Sequence, residues 1–296
     1  MIMQYMIRLI ALSILCLPIT TFGTLKIVAT SSSTGMLVRE LTAGQAQLTI
    51  LAPPDRDLHY IQARPSMIRA LRRADLLVAL GADLEIGWLP VAIRQAANPQ
   101  ILPGRLGYFE VATQVSLLDV GNPADRALGD VHPVGNPHIN MDPVRMAQAG
   151  LALAQLLARL DPSHAQHYHN RAMEFKNKVQ ARLLTWQRQV AKAPGVITFH
   201  RDSIYLLNRL NIPLLGTIEL VPGVPPTASH LHQLIDSLRG RKGAILITTF
   251  QPERGPKVVA STLNWPLKIL PLEPPLNSDG DIYLAHIDRW VAALNP

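Results

Sequence analysis

The sequence predicts an α/β protein of two lobes, each a mostly parallel sheet flanked by helices, the two joined by one long rigid helix. Three observations support this. Short β-branched or apolar runs alternate with amphipathic segments of helical length in both halves, the rhythm of strand–helix–strand units. Between the halves, Tyr168, Ala172, Phe175, Val179, Leu183, Trp186 and Val190 recur at steps of three and four, one continuous helical stripe. The chain has 296 residues, 48% hydrophobic and 17% charged, so it can bury two domains or one large one, and a disordered chain is excluded.

In chain order, strands are expected at 25–30, 47–52 and 75–80, with helices at 34–43, 65–74 and 85–97. Pro65 stands at a first helical position, where its missing N–H costs nothing. Residues 103–137 are rich in Gly and Pro and read as a long surface loop around one weak strand. Asp142-Pro143 opens a helix to about Leu160, as N-cap and first-turn proline. Asp161-Pro162 repeats that signal and opens the long helix, 161–192, which at 1.5 Å per residue spans about 48 Å. The second half places strands at 196–200, 212–216, 244–250 and 267–272, and helices at 202–210, 227–239, 255–264 and 281–294. The expected division is 24–160 for one metal-binding lobe, 161–192 for the linking helix and 193–296 for the other lobe.

Residues 1–23 have the layout of a cleaved secretory signal peptide: one positive charge, the apolar core LIALSILCLPI, and small residues at −3 and −1 of a cut after Gly23. A bundle of membrane helices is excluded, because only residues 6–23 approach a spanning length. The single cysteine, Cys16, lies inside that leader, so the exported chain has neither a disulfide framework nor a thiolate site. The net charge of +7 comes from scattered Lys and Arg with no basic run, which argues against nucleic acid as a partner. Any transition metal must then be held by His and carboxylates.

Four such residues stand out among ten histidines and the acids. His59 follows the strand 47–52, His200 ends the strand VITFH, and Glu273 directly follows LKILPL. His138 precedes the helix opened by Asp142. In parallel α/β sheets, ligand sites lie beyond the carboxyl ends of strands. Neutral imidazoles suit borderline cations, and three His with one carboxylate suit Zn(II), whereas Mn(II) more usually takes extra carboxylate oxygens. Elsewhere, His164, His167 and His169 read as a solvated helix face, and His230 and His232 are two apart and share no face. His286 lies on the last helix. His132 reads either as a loop residue that feeds a metal or as a plain surface residue.

The segments DRDLHYIQARPSMIRALRRADLLVALGADLEIGWL, GNPHINMDP, TFHRDSIYLLNRLNIPLLG, PGVPPTASHLHQLI and FQPERGPKVV together resemble the solute-binding receptors of zinc and manganese ABC importers, the ZnuA-like group. The resemblance runs from about residue 25 to 294. It implies a periplasmic, monomeric receptor, not an enzyme, that holds Zn(II) between its lobes through His59, His138, His200 and Glu273 and delivers it to an inner-membrane ABC permease. It also implies a rigid linking helix and small ligand-induced motion. This chain has Leu58 where the family often has Pro, and Ile139 where it often has an aromatic. The family's fourth acid is typically Asp, which leaves Asp279 and Asp281 as alternatives to Glu273. The family's His-rich acidic loop is reduced here to Asp125, Asp130 and His132. The alternatives are Mn(II) or Fe(II) on the same scaffold, a secreted metallohydrolase, which would need a general base that no HExxH supplies here, and a metal-independent adhesin.

Overall fold

The computed structural model describes residues 24–121, 132–221 and 223–295. The expected leader 1–23, with Cys16, and the acids Asp125 and Asp130 lie outside the described residues.

The first lobe holds a four-stranded sheet in the order β2-β1-β3-β4, formed by β1 (Lys26–Ala29), β2 (Gln47–Ile50), β3 (Leu76–Ala79) and β4 (Tyr108–Glu110). The second repeats the winding as β6-β5-β7-β8, with β5 (Val196–Thr198), β6 (Leu214–Thr217), β7 (Ala244–Thr248) and β8 (Leu267–Leu270). Every pairing in both sheets is parallel. The chain reverses direction across the sheet between β1 and β3, and again between β5 and β7. Those reversals open crevices beyond the carboxyl ends of the strands. The segments that enter them are Thr30–Ser33 after β1, Glu85 after β3, His200 after β5 and Gln251 after β7.

Period-two alternation feeds each strand into two cores. Leu76 and Val78 of β3 join one apolar cluster, while Leu77 and Ala79 join another. In β7, Ala244 and Leu246 join the first cluster, and Ile245 and Ile247 a third. The first cluster is common to both lobes, so the inner faces of the two sheets share one continuous core. Its filling is helical: α1 (Ser32–Thr42), α4 (Pro143–Leu160), α5 (Ala165–Gln189) and α9 (Gly280–Ala293). The outer faces carry α2 (Pro65–Arg72) and α3 (Leu89–Ala96) on the first lobe, and α7 (Ala228–Leu238) and α8 (Arg254–Leu263) on the second. The short helix α6 (Ile204–Leu210) follows β5.

The linking helix is shorter than its sequence pattern. Asp161 accepts from Ser163 Oγ at 2.5 Å and from Tyr168 Oη at 2.7 Å, and its Oδ2 lies 2.7 Å from His164 Nδ1. These local bonds compete with helical pairing, and residues Pro162–His164 form a 3-10 turn before α5 begins at Ala165. The stripe is otherwise as read: Tyr168, Ala172, Phe175, Val179 and Trp186 are buried, with Leu183 partly so. They pack on α4, α1 and α9.

The joint between the lobes is dense. Glu40 of α1 accepts from the Gly280 N–H at 2.9 Å, so a carboxylate from one lobe caps the first turn of α9 in the other. Arg171 of α5 binds the same carboxylate at 2.9 Å. Arg39 donates to the carbonyls of Leu276 at 3.0 Å and Ser278 at 2.8 Å. Farther along α5, Lys178 pairs with Asp281 at 2.8 Å, and Arg182 and Trp186 both bind Asp288.

Candidate metal centre

Three of the four singled-out residues meet. His59 sits in the 3-10 turn Leu58–Tyr60 beyond β2, His138 immediately before the 3-10 turn Ile139–Met141, and His200 two residues beyond the end of β5. β5 ends at Thr198, so His200 belongs to the loop after the strand and is not its last residue, as the sequence suggested. The ring centroids of His59 and His138 lie 5.4 Å apart, those of His138 and His200 5.3 Å, and those of His59 and His200 6.2 Å. Two imidazoles on one tetrahedral zinc, each nitrogen at roughly 2.0–2.1 Å, put their centroids about 5 Å apart. Two of the three spacings match, and the third is about an ångström wide. Among the described residues, no three His, Cys, Asp or Glu side chains stand ready as they are to hold an ion. The rings must therefore turn slightly to share one.

The local sequence explains how each ring is held. Asp57 caps the turn before His59: its Oδ1 accepts the His59 backbone N–H at 3.0 Å and faces His59 Nδ1 at 2.7 Å. His138 donates its backbone N–H to Asn136 Oδ1 at 3.0 Å, and Asn136 Nδ2 in turn reaches the carbonyl of Arg201 across the cleft at 3.0 Å. His200 Nδ1 lies 3.3 Å from Glu219 Oε2, just past β6. Carboxylates behind Nδ1 fix the tautomer that leaves Nε2 as the lone-pair donor, the arrangement typical of metal-bound imidazoles. Asp142, close to His138 in sequence, is engaged elsewhere, capping α4 and binding Arg145 and Arg209.

The electrostatics separate the three imidazoles. Burial first, then the neighbouring His200, His59 and His132, hold the His138 ring well below its ordinary pKa, so it stays neutral. Its Nε2 is buried and has no hydrogen-bond partner among the described residues, a lone pair or N–H that calls for one. For His200, burial pulls the pKa down, but Glu219, Asp202 and Asp57 outweigh it and the result is raised. Asp202 is itself pushed up to about 6 by burial and is held by Gln251 Nε2 at 2.8 Å. For Asp57, burial raises the pKa but the bond and charge of His59 prevail and lower it. A cleft of about 310 Å³ gathers Asp57, His59, His138, His200, Asp202 and Glu219 along its wall.

Glu273 is not among the residues that line that cleft. It lies 4% exposed in a small cavity bordered by Asp57, His138 and Asn140. Its Oε2 accepts from Ser33 N–H at 2.7 Å and Ser33 Oγ at 2.8 Å, and its Oε1 from Asn140 Nδ2 at 3.0 Å. Burial pushes its carboxyl up to about 7 against the pull of the Ser33 donors. Asp279 caps α9 and Asp281 pairs with Lys178, so both alternative acids have structural partners elsewhere. His132 does approach: its Nε2 lies 2.9 Å from His59 Nε2. Of the remaining histidines, His286 is buried and faces the Leu272 carbonyl at 3.2 Å, His230 faces the Thr217 carbonyl at 2.9 Å, and His164 and His169 are exposed. Sequence reasoning missed Glu219 and Asp202. The strand-end rule that singled out His200 also marks Glu219, two residues past β6.

Comparison with known proteins bears on the family and the fold. The profile of the ZnuA family, described as "Zinc-uptake complex component A periplasmic", matches residues 27–295. The "High-affinity zinc uptake system protein ZnuA" of Yersinia pestis is 23% identical over 240 residues, covering 76% of this chain and 74% of that one. The "Manganese ABC transporter substrate-binding lipoprotein PsaA" of Streptococcus pneumoniae is 21% identical over 257 residues, covering 84% and 80%. A crystal structure of ZnuA superposes with a TM-score of 0.75 at 18% identity, covering 92% of this chain and 100% of that one.

Proposed function

This chain belongs to the ZnuA family, and from that premise we propose that it is an exported receptor that takes Zn(II) as cargo between its lobes and passes it to an ABC permease in the inner membrane. It is a metal-binding solute-binding component of a metal importer. The finer reading, zinc held by His59, His138 and His200, has one main support. Rings from three distant segments and both lobes lie within 5.3–6.2 Å of each other. Three imidazoles favour Zn(II) over Mn(II), which prefers oxygen donors. Glu273 is the carboxylate expected at the fourth position, and its oxygens accept from Ser33 and Asn140.

An ion that touches both lobes favours their closed arrangement by its differential affinity. The ties between α1, α5 and α9 keep that movement small. Residues 1–23 direct export in this reading, and the exported monomer divides into 24–160, the linking segment 161–192 and 193–296. Asp57 and Glu219 both stand behind imidazole Nδ1 atoms, which suits holding a cation.

The test is titration of chelator-stripped protein with zinc and with manganese, repeated on His200→Ala. The expected result is tighter zinc than manganese and a large loss of zinc affinity in the variant. Zinc affinity unchanged by that substitution overturns the reading.

A further inference from the structure

We propose that the outer face of the first lobe is a docking surface for an anionic lipid bilayer. Arginines that are scattered in the sequence are gathered there by the fold. α2 carries Arg64 as its N-cap, Arg69 and Arg72 within it and Arg73 as its C-cap, and α3 carries Arg94. The two helices bury Met67, Leu71, Leu89 and Ile93 over the sheet and leave all five arginines exposed. Neither helix holds an acid, and the chain has no Asp or Glu from 58 to 74 or from 86 to 109. The four acids that border these stretches are engaged elsewhere. Asp57 faces His59, and Asp75 accepts the Lys26 N–H at 2.8 Å. Glu85 is buried against Thr30 Oγ at 2.7 Å, and Glu110 accepts from Tyr108 Oη at 2.7 Å. Among the described residues, none of the five arginines pairs with a carboxylate.

Helix ends do not absorb this charge. The C-termini of α2 and α3 present about half a negative charge each, against five positive ones. Arg72 donates to the carbonyls of Ala96 at 3.2 Å and Gln95 at 3.3 Å, which ties the two helices side by side and leaves its charge unpaired. Arg69 and Arg73 stand four apart on one helix face, where like charges repel and a plane of phosphates relieves the repulsion. Each helix has eight residues and is about 12 Å long, so the charges form an extended array. At a screening length of about 8 Å in physiological salt, neighbouring members act on an approaching surface together. Such an array suits many phosphates spread over a surface better than one small anion in a pocket. Val91, three residues before Arg94 and 38% exposed, adds an apolar contact of the kind interfacial helices use. The choice of a bilayer rests on the export reading above: it is the anionic surface that the receptor shares with its permease. Held there, the receptor searches a surface instead of a volume. Cargo capture is left free, because none of the five arginines lines the cleft.

The experiment is co-sedimentation of the full exported chain with vesicles of phosphatidylcholine, alone or mixed with phosphatidylglycerol. Chelator is present throughout, so the metal site does not enter and its failure stays separate. The variants are Arg69→Gln, Arg94→Gln and the triple Arg69→Gln/Arg73→Gln/Arg94→Gln. A control, Lys192→Gln/Arg241→Gln/Lys242→Gln, removes the same charge from exposed residues around a cavity of the second lobe. We expect wild type to bind the mixed vesicles alone, and less as salt is raised. One arginine near such a surface is worth about fivefold in affinity, so each single variant should lose about that and the triple roughly 100-fold. The control should stay within about twofold of wild type. An unchanged melting temperature in the triple shows that its fold is kept, and the two single variants carry the test independently of it. The proposal is wrong if the mixed vesicles leave wild type in solution, or if the control loses as much as the triple, which would make net charge the whole cause. It is also wrong if free glycerol phosphate, matched to the lipid phosphate, releases the protein, since that marks a small-anion site. Retention of wild type but not the triple on heparin, with no vesicle binding, would make the partner an acidic polymer and overturn the bilayer.

Discussion

One oxygen of Asp57 serves two atoms of His59, its backbone nitrogen at 3.0 Å and its ring Nδ1 at 2.7 Å. The same contact that closes the turn after β2 therefore aims the imidazole and sets its tautomer. Glu219 stands in a similar relation to His200 at 3.3 Å, without the backbone bond.

Asp57→Asn should accordingly weaken zinc without unfolding the protein. The amide still accepts the backbone N–H, but its charge no longer reinforces the ring as a ligand. The expected loss of affinity is roughly 10–100-fold, the usual consequence of removing a partner behind a metal-bound imidazole. Competition titration checks it, and an unchanged affinity means that His59 is not a ligand.

Acid should weaken zinc binding, and His200 determines where the loss begins. Its pKa is raised above 6.5, whereas that of His138 lies well below it. As pH falls from about 7.5, His200 is the first of these two to gain a proton. Each ligand that must shed one then costs about tenfold in affinity per pH unit. Binding measured near pH 5 should be far weaker than near pH 7.5, and equal affinity at both would contradict the three-imidazole core.

The metal-free protein should respond to His200 with the opposite sign. A histidine whose folded pKa is raised contributes stability that is fully present below its unfolded value, 6.5, and is lost as pH rises through the folded one. His200→Ala should therefore cost more stability near pH 5.5 than near pH 8 in denaturant titrations with chelator present. A larger cost at the alkaline end would place the favourable partner charges elsewhere.

Much of this was legible in the chain because strand and helix periods are local. Leu76–Ala79 read as a buried strand and residues 244–247 as part of another because both runs are apolar throughout, as strands covered on both faces must be. Boundaries were less legible. The run VITFH continues past the point where β5 pairing stops at Thr198, and Asp161 draws Ser163, His164 and Tyr168 into local bonds that delay α5. His59 and His200 were found because strand ends mark ligand sites, and His138 because it stands just before the helix that Asp142 opens. What Glu273 touches was not, since Ser33 lies 240 residues away and only tertiary packing joins them. For the same reason the stripe on α5 showed that a face is buried but not that α9 returns to cover it.

The return of α9 makes the joint between the lobes a separate and testable source of stability. Glu40 is 2% exposed and holds both Arg171 and the Gly280 N–H. Glu40→Ala leaves the guanidinium and a helix N–H short of an acceptor, and breaking such a pair costs about 3 kcal/mol. Gly280→Ala attacks the joint by volume. A Cβ there would stand 2.8 Å from Phe175 Cδ2 and 3.0 Å from the Glu40 carboxylate, and both neighbours are buried. Forcing them apart should cost about 1–3 kcal/mol. Both variants should lower the melting temperature in chelator while keeping most of their zinc affinity, because His59, His138 and His200 are not attached to α9. A loss of zinc binding as large as that in His200→Ala would instead mean that the joint, and not the rings alone, shapes the site.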